Sequence, residues 1–205
     1  MERIHIYNQL NVVYPEKEIF FRLGGNVHIT EVSEDEYSRI SSLGKKAYSL
    51  CVPQGRWKLK AVKYVGEKGI LFSDKVFMCG SRFASMAKNA AFIWFAAVTV
   101  GEKVVVERDR QQNVSDSVVY DAVAGEMADS TMDMMQKMAS AELARIGMVL
   151  DKNRYSPGYG DMLLEEQKLM FSVLNMSEMN LKLTDSCFIV PEKSVTAVAA
   201  VMVSK

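Results

Sequence analysis

The helical pattern over residues 117–146 constrains the fold more than any other stretch of the sequence. Residues three and four apart form one face of this helix that belongs in a core; they are Met127, Thr131, Met134 and Met138. The run before it, residues 92–100, is apolar and β-rich and suits a buried strand, with a buried helix as the open alternative. Because an apolar helix face needs a second layer to cover it, we expect helices packed on a sheet.

The first third of the chain mixes helical and strand patterns. Residues 16–23 predict a short helix that a glycine pair ends, and Ser33 with Glu36 forms a capping box for a helix to about residue 50. Residues 57–65 alternate as a strand, and residues 70–72 fit its hairpin partner across a glycine turn. These elements are typical of a mixed α and β fold.

More elements are predicted toward the C-terminus. We expect Ser81 to cap a helix to about residue 90, and Asp161 to cap another through about residue 175. Residues 187–190 and 194–203 are β-rich. Since no repeat, low-complexity tract or linker divides the chain, we expect one domain over residues 1–205. The predicted fold is α+β, with a mostly antiparallel sheet flanked by helices.

Charge and cysteine usage narrow the possible partners. Lys plus Arg and Asp plus Glu both number 25, so no net field attracts nucleic acid, and we expect none as a partner. Cys51, Cys79 and Cys187 are far apart and odd in number, which is typical of a reducing compartment and predicts a cytoplasmic protein. The longest strongly apolar run, residues 90–100, is far shorter than the roughly 20 residues that span a bilayer. We therefore expect no membrane partner.

Several catalytic classes lack support in the sequence. The two histidines, His5 and His28, are not near a cysteine, so we expect no metal site and no Cys–His or Ser–His nucleophile pair. Dinucleotide-binding, phosphate-binding and nucleophile-elbow motifs are not found. We therefore expect no catalytic residue of these kinds.

Residues 154–161, Arg-Tyr-Ser-Pro-Gly-Tyr-Gly-Asp, combine a fixed cation, aromatic rings, a rigid proline and permissive glycines. Glycine lets a ligand approach the backbone closely, and Arg154 can hold a carboxylate through two parallel hydrogen bonds. The alternative is a surface loop between two helices, in which Arg154 is a solvated charge.

An acidic stripe lies on the long helix beside the methionine face. Glu126, Asp129 and Asp133 are spaced by three and four residues and therefore share one side of the helix. Such a stripe can meet an amino group or a sulfonium cation. A purely solvated stripe is the alternative.

Three motifs follow one another in the C-terminal half. Residues 154–161 continue into Leu-Glu-Glu-Gln-Lys at 164–168 and Phe171, then Leu-Thr-Asp-Ser at 183–186 and Val-Pro-Glu-Lys-Ser-Val at 190–195. In this order and at these separations they resemble the activation (reactivation) domain of cobalamin-dependent methionine synthase. The resemblance covers residues 81–205 and is weak over residues 1–80.

The resemblance implies that residues 81–205 bind S-adenosylmethionine and present its methyl group to cobalamin carried by a partner. It implies that Arg154 holds the methionine carboxylate and that the backbone at Ser156 and Gly158 contacts the ligand. Tyr159 would line the cleft that faces the corrin.

The same resemblance assigns the acidic contact. Asp129 stands where the family has a glutamate that pairs with the ligand, and Glu126, one turn earlier, is the alternative. The family's longer domain continues into a segment with a ligand-contacting tyrosine, whereas this sequence ends at Lys205, so we expect that contact to be missing or replaced.

The implied partners are a cobalamin-dependent methionine synthase lacking its own activation domain and an electron-donor protein such as flavodoxin. The chain would then be a separate subunit that catalyses nothing alone. Two other hypotheses remain open: a reactivator or ligand sensor for another corrinoid protein, and a self-sufficient S-adenosylmethionine-dependent methyltransferase.

Overall fold

An antiparallel sheet runs through the centre of the protein, in a computed structural model that describes residues 3–25 and 32–204. His28 lies outside these ranges. The main sheet has the order β4-β3-β2-β5-β9-β6, and β1 also pairs with β2. The strands are β1 (His5–Tyr7), β2 (Gln54–Gly66), β3 (Gly69–Phe72), β4 (Phe77–Cys79), β5 (Phe92–Thr99), β6 (Met148–Leu150) and β9 (Ser194–Val203). A second, two-stranded sheet pairs β7 (Lys182–Leu183) with β8 (Ile189–Val190).

Helices cover both faces of the main sheet. They are α1 (Glu16–Arg22), α2 (Glu34–Leu50), α3 (Ser81–Met86), α4 (Lys103–Asp109), α5 (Val114–Ala144) and α6 (Gln167–Val173). Helices α1, α2, α4 and α5 contribute to the core on one face, and α3 and α6 to the core on the other. The expected antiparallel sheet flanked by helices is confirmed.

The central strand β5 shows why the sheet is buried on both faces. Its side chains alternate, so that Trp94 and Ala96 belong to the α5 core while Ile93 and Phe95 belong to the α3–α6 core. All four are fully buried. A strand covered on both sides reads as a continuous apolar run, which explains why sequence alone left strand and helix open for this stretch.

Several local predictions are confirmed. The hydroxyl of Ser33 accepts a hydrogen bond from the Glu36 amide and begins α2, as the capping box indicated. The short helix α1 and the β2–β3 hairpin lie where the pattern placed them. On α5, Met127 and Thr131 are fully buried. Met134 and Met138 of the expected face are partly buried and pack against the same core.

Three boundary predictions are wrong. Ser81 is the first residue of α3 and not its cap, and α3 ends at Met86. Helix α6 begins only at Gln167, because a turn of 3₁₀ helix over Leu164–Glu166 precedes it. Residue 187 is outside β8, since the backbone at Cys187 has a φ of 64° that interrupts an extended strand.

Within the described ranges, no helix combines the length and the apolar character needed to cross a membrane.

Candidate functional site

The segment that carries Arg154 follows the edge of the main sheet. After β6 pairs with β9, the chain leaves the strand and returns at Tyr155, which exchanges two backbone hydrogen bonds of 2.8 Å with Val198. The Asp151 amide bonds to the Ala200 carbonyl, so four residue steps on this strand oppose two on β9. Such a bulge re-aims side chains, and Arg154 lies within it.

Two consecutive turns over residues 156–162 then form the tip of the loop that follows Arg154. The Tyr159 amide donates to the Ser156 carbonyl at 3.2 Å, and Gly158 has a φ of 90°, which is the geometry of a type II turn with proline in second position. The Met162 amide donates to the Tyr159 carbonyl at 3.1 Å and closes the second turn, and the Gly158 amide donates to the Met162 carbonyl at 2.9 Å across its base. Tyr159 therefore lies at the apex, where 70% of its surface is exposed.

The loop is fastened to the protein on both sides. The Ser156 hydroxyl donates to the Thr196 carbonyl of β9 at 2.8 Å, and Pro157 is buried. At the other end, the Asp161 carboxylate accepts hydrogen bonds from the backbone amides of Ser81 at 2.5 Å and Arg82 at 3.3 Å. Asp161 thus caps α3 and not α6, which corrects the prediction from sequence.

We expect Asp161→Ala to lower the melting temperature at neutral pH and to remove an acid-sensitive part of the stability. Hydrogen bonds from Ser81, with that from the Arg82 amide, hold the pKa of Asp161 below its ordinary value of 3.8. Because the folded pKa is depressed, the carboxylate stabilises the fold above about pH 4 and loses this effect as the pH falls through the folded pKa. Thermal unfolding of both proteins between neutral pH and pH 3 measures the difference, which should shrink at low pH. A constant difference across this range would contradict the capping role.

Arg154 turns from the bulge toward α5. Its Nη1 forms an ion pair with Oδ1 of Asp133 at 2.7 Å and donates a hydrogen bond to Oε1 of Gln136 at 2.8 Å. In the parts of the chain that the structure describes, its Nε and Nη2 donate to no protein acceptor. We call this the open edge of Arg154. The side chain is 27% exposed, so the open edge belongs to a group that is held and still accessible.

The two acid candidates on α5 share one cation from α1. Nε of Arg22 contacts Oε1 of Glu126 at 2.5 Å, and its Nη2 contacts Oδ2 of Asp129 at 3.0 Å. The Glu126 side chain is only 15% exposed, whereas that of Asp129 is 56% exposed. Asp129 is therefore the acid that a ligand can reach more easily.

A glycine makes room for this cation. A Cβ on Gly125 would lie 3.1 Å from Nη1 of Arg22, tighter than ordinary van der Waals contact. Glycine inside a helix costs roughly 0.5–1 kcal/mol relative to alanine. Close approach of the Arg22 guanidinium gives a physical reason for glycine at this position.

Arg22→Met is expected to raise the pKa of Asp129 further. Partial withdrawal from water raises this pKa, as do the carboxylates of Glu126 and Asp133, while Arg22 is the first of the groups that oppose the rise. Side-chain carboxyl NMR titration measures the change. Arg145→Met, at the end of α5, is the matched control and should leave the Asp129 pKa unchanged. An Asp129 pKa that falls or stays constant in Arg22→Met would refute the pairing.

The structure places the predicted site residues in two neighbouring groups. The first is the pair of acids that share Arg22, and the second is Arg154 with the turns that follow it. Arg154 lies against Asp133, one turn beyond Asp129, and is close enough for its charge to lower the Asp129 pKa. Ser156, Gly158 and Tyr159 form the turns that follow. Sequence reasoning missed Arg22, whose contact is 107 residues distant, and Gln136, whose position three residues after Asp133 was the available signal.

No group of three potential metal-ligating His, Cys, Asp or Glu side chains occurs among residues 3–25 and 32–204. The site combines a cation that is held on one side with an exposed carboxylate near it, an arrangement that could accommodate a zwitterion.

The fold itself defines a class: a single α+β domain whose antiparallel sheet has helices on both faces and a loop with charged partners along one edge. Within this class, the MetH reactivation domain bound to AdoHcy, known from a crystal structure, has a similar fold. The TM-score is 0.68, with 18% sequence identity, over 95% of this chain and 79% of that chain. The fold implied by the sequence resemblance is therefore confirmed. Neither a known protein family nor a curated protein matches the sequence.

Proposed function

We propose that this chain binds S-adenosylmethionine and serves as a separate reactivation subunit for a cobalamin-dependent methionine synthase that lacks such a domain. The observation that carries the proposal is the open edge of Arg154. Two neighbouring hydrogens of a guanidinium can hold both oxygens of a carboxylate; here those on Nε and Nη2 have no acceptor among the described residues, the side chain is 27% exposed, and Nη1 is anchored. The methionine carboxylate of S-adenosylmethionine is the group that this edge would hold.

Asp129 supports the ammonium end of the same ligand. It lies four residues, and so about 6 Å along the helix axis, before the Asp133 that anchors Arg154. An α-amino acid carries its ammonium and carboxylate on one carbon, so short spacing between an anion and a cation in the site suits it. The greater exposure of Asp129 favours it over Glu126, which we assign to holding Arg22.

The turns after Arg154 supply the remaining surface. Tyr159 is exposed at the apex, where its ring can cover a flat partner such as the corrin face. The Gly158 amide is already committed to Met162, so contact with the ligand there would come through its carbonyl or Cα. Ser156 is held by Thr196 and would contribute its backbone.

For methyl transfer to cobalamin, the main task of this chain would be to orient the bound S-adenosylmethionine. S-adenosylmethionine supplies a methyl group on a sulfonium, and the cobalamin belongs to the partner, so the chain needs to bind, orient and shield the ligand. The proposed partners are therefore the synthase and an electron donor such as flavodoxin. The three cysteines are free thiols, which fits the reducing, cytoplasmic setting that this role requires.

Titration calorimetry and a reactivation assay test the proposal together. We expect saturable binding of S-adenosylmethionine, and recovery of an oxidised methionine synthase without its own reactivation domain when this chain and a reductant are added. Methyl transfer to a substrate without any corrinoid would instead identify a self-sufficient methyltransferase. Absence of binding both alone and with the cobalamin-loaded synthase would contradict the proposal.

A further inference from the structure

One side chain, Gln136 of α5, bridges the bulge and the arginine that the bulge carries. Its Nε2 donates to the carbonyl of Asp151 at 2.8 Å and to that of Lys152 at 3.2 Å. Its Oε1 accepts from Nη1 of Arg154 at 2.8 Å. The amide nitrogen of Gln136 thus bonds to the bulge, and its amide oxygen bonds to Arg154.

The bridge fixes the orientation of the amide. A glutamine amide can flip by exchanging its oxygen and nitrogen, but here a flipped amide would place its oxygen against two carbonyl oxygens and its hydrogens against a guanidinium. Both contacts would be repulsive. The Oε1 atom must therefore face Arg154.

The consequence lies in how Arg154 is held. Asp133 and Gln136 both contact Nη1 from positions three residues apart on one rigid helix, but only Gln136 accepts a hydrogen bond from it, and a hydrogen bond sets the direction of the guanidinium plane. Asp133 is 56% exposed, and an exposed ion pair alone is weakly constrained. Gln136 is half-buried and has fixed backbone partners, so it supplies the constraint that Asp133 lacks.

We infer that Gln136 is a positioning residue for ligand binding: it holds the bulge against α5 and aims the open edge of Arg154 at the ligand carboxylate. This inference rests on the proposed function. It differs from a purely structural role because the effect must pass through Arg154 and through the carboxylate of the ligand.

A double-mutant cycle with two ligands tests it. Binding of S-adenosylmethionine and of decarboxylated S-adenosylmethionine is measured for the wild type, Gln136→Met, Arg154→Ala and the double variant. We expect Gln136→Met to weaken S-adenosylmethionine about twofold to twelvefold, as for one lost hydrogen bond, and to leave the decarboxylated ligand unchanged. In the Arg154→Ala background, Gln136→Met should add no further loss.

Gln111→Met is the matched control, because Gln111 also donates its Nε2 to a backbone carbonyl, that of Glu107, at 2.8 Å. It should bind both ligands as the wild type does. Gln136→Ala repeats the test with a side chain that cannot repack into the gap, and thermal unfolding checks that each variant is folded.

Each result has one meaning. An equal loss for both ligands, or a loss that persists without Arg154, would show that Gln136 is only structural and would overturn the inference while leaving the proposed function intact. Normal binding by both folded Gln136 variants would overturn it as well. Failure of the wild type to bind either ligand, alone or with the synthase, would remove the proposed function and this inference with it.

Discussion

Arg154→Ala is expected to weaken binding of S-adenosylmethionine by about one to two orders of magnitude. A charge-assisted contact contributes about 1.5–3 kcal/mol, which corresponds to one to two orders of magnitude, and the open edge of Arg154 has the geometry to make such a contact with a carboxylate. The variant also removes the counterion of Asp133, whose negative charge would then repel the ligand carboxylate. Calorimetric titration of both proteins measures the loss.

Two further variants make this result specific. Arg154→Lys keeps the charge but loses the planar pair of donors, so we expect it to recover only part of the affinity. Arg145→Ala removes an exposed arginine at the end of α5 and should leave binding unchanged. Wild-type affinity in Arg154→Ala, with the wild type binding normally, would exclude this residue from the site.

Trp94→Ala is expected to lower the free energy of unfolding by about 3–5 kcal/mol, as for other buried aromatic side chains replaced by alanine. Trp94 is fully buried in the α5 core and lies between Leu59 of β2 and Ala199 of β9. Its removal leaves a cavity at the centre of the sheet, which neighbouring strands can fill only in part. Chemical denaturation at equilibrium measures the loss.

The control for this variant is an aromatic residue of the same sheet that faces solvent. Tyr64 on β2 is 65% exposed, so Tyr64→Ala should change the unfolding free energy by no more than about 0.5 kcal/mol. Equal effects of the two variants would mean that the β5 side chains do not form the core described above.

The elements that could be predicted are those whose signal is local. Ser33 and Glu36 specify the start of α2 through bonds within one helical turn, and the apolar period of α5 reflects a single continuous face. The strand β9 is likewise confirmed because ten consecutive residues have a β-rich composition. Short elements such as β6 were missed, since three residues carry too little pattern.

The site was only partly predictable, because its contacts join residues that are far apart in the sequence. The residue type at Asp161 indicates a helix cap, but the type does not say which helix is capped, and here the answer lies 80 residues earlier, at Ser81. In the same way, the acidic stripe was visible on α5, whereas its cation, Arg22, comes from a helix near the N-terminus. Contacts between distant segments depend on the assembled sheet and leave no local signature.

The bulge beside β9 has a consequence for how the site responds to heat. Three residue pairs of β6, the Asp151 amide, the pair of bonds at Tyr155 and the Ser156 hydroxyl join this segment to β9, whereas β5 is paired with β9 along eight consecutive positions. Such a seam can open with less free energy than global unfolding requires. Since Arg154 belongs to this weakly paired segment, ligand affinity should decline on warming before the whole sheet unfolds. A bound ligand would in turn stabilise the pairing of this segment with β9 and slow amide hydrogen exchange along that edge of the sheet.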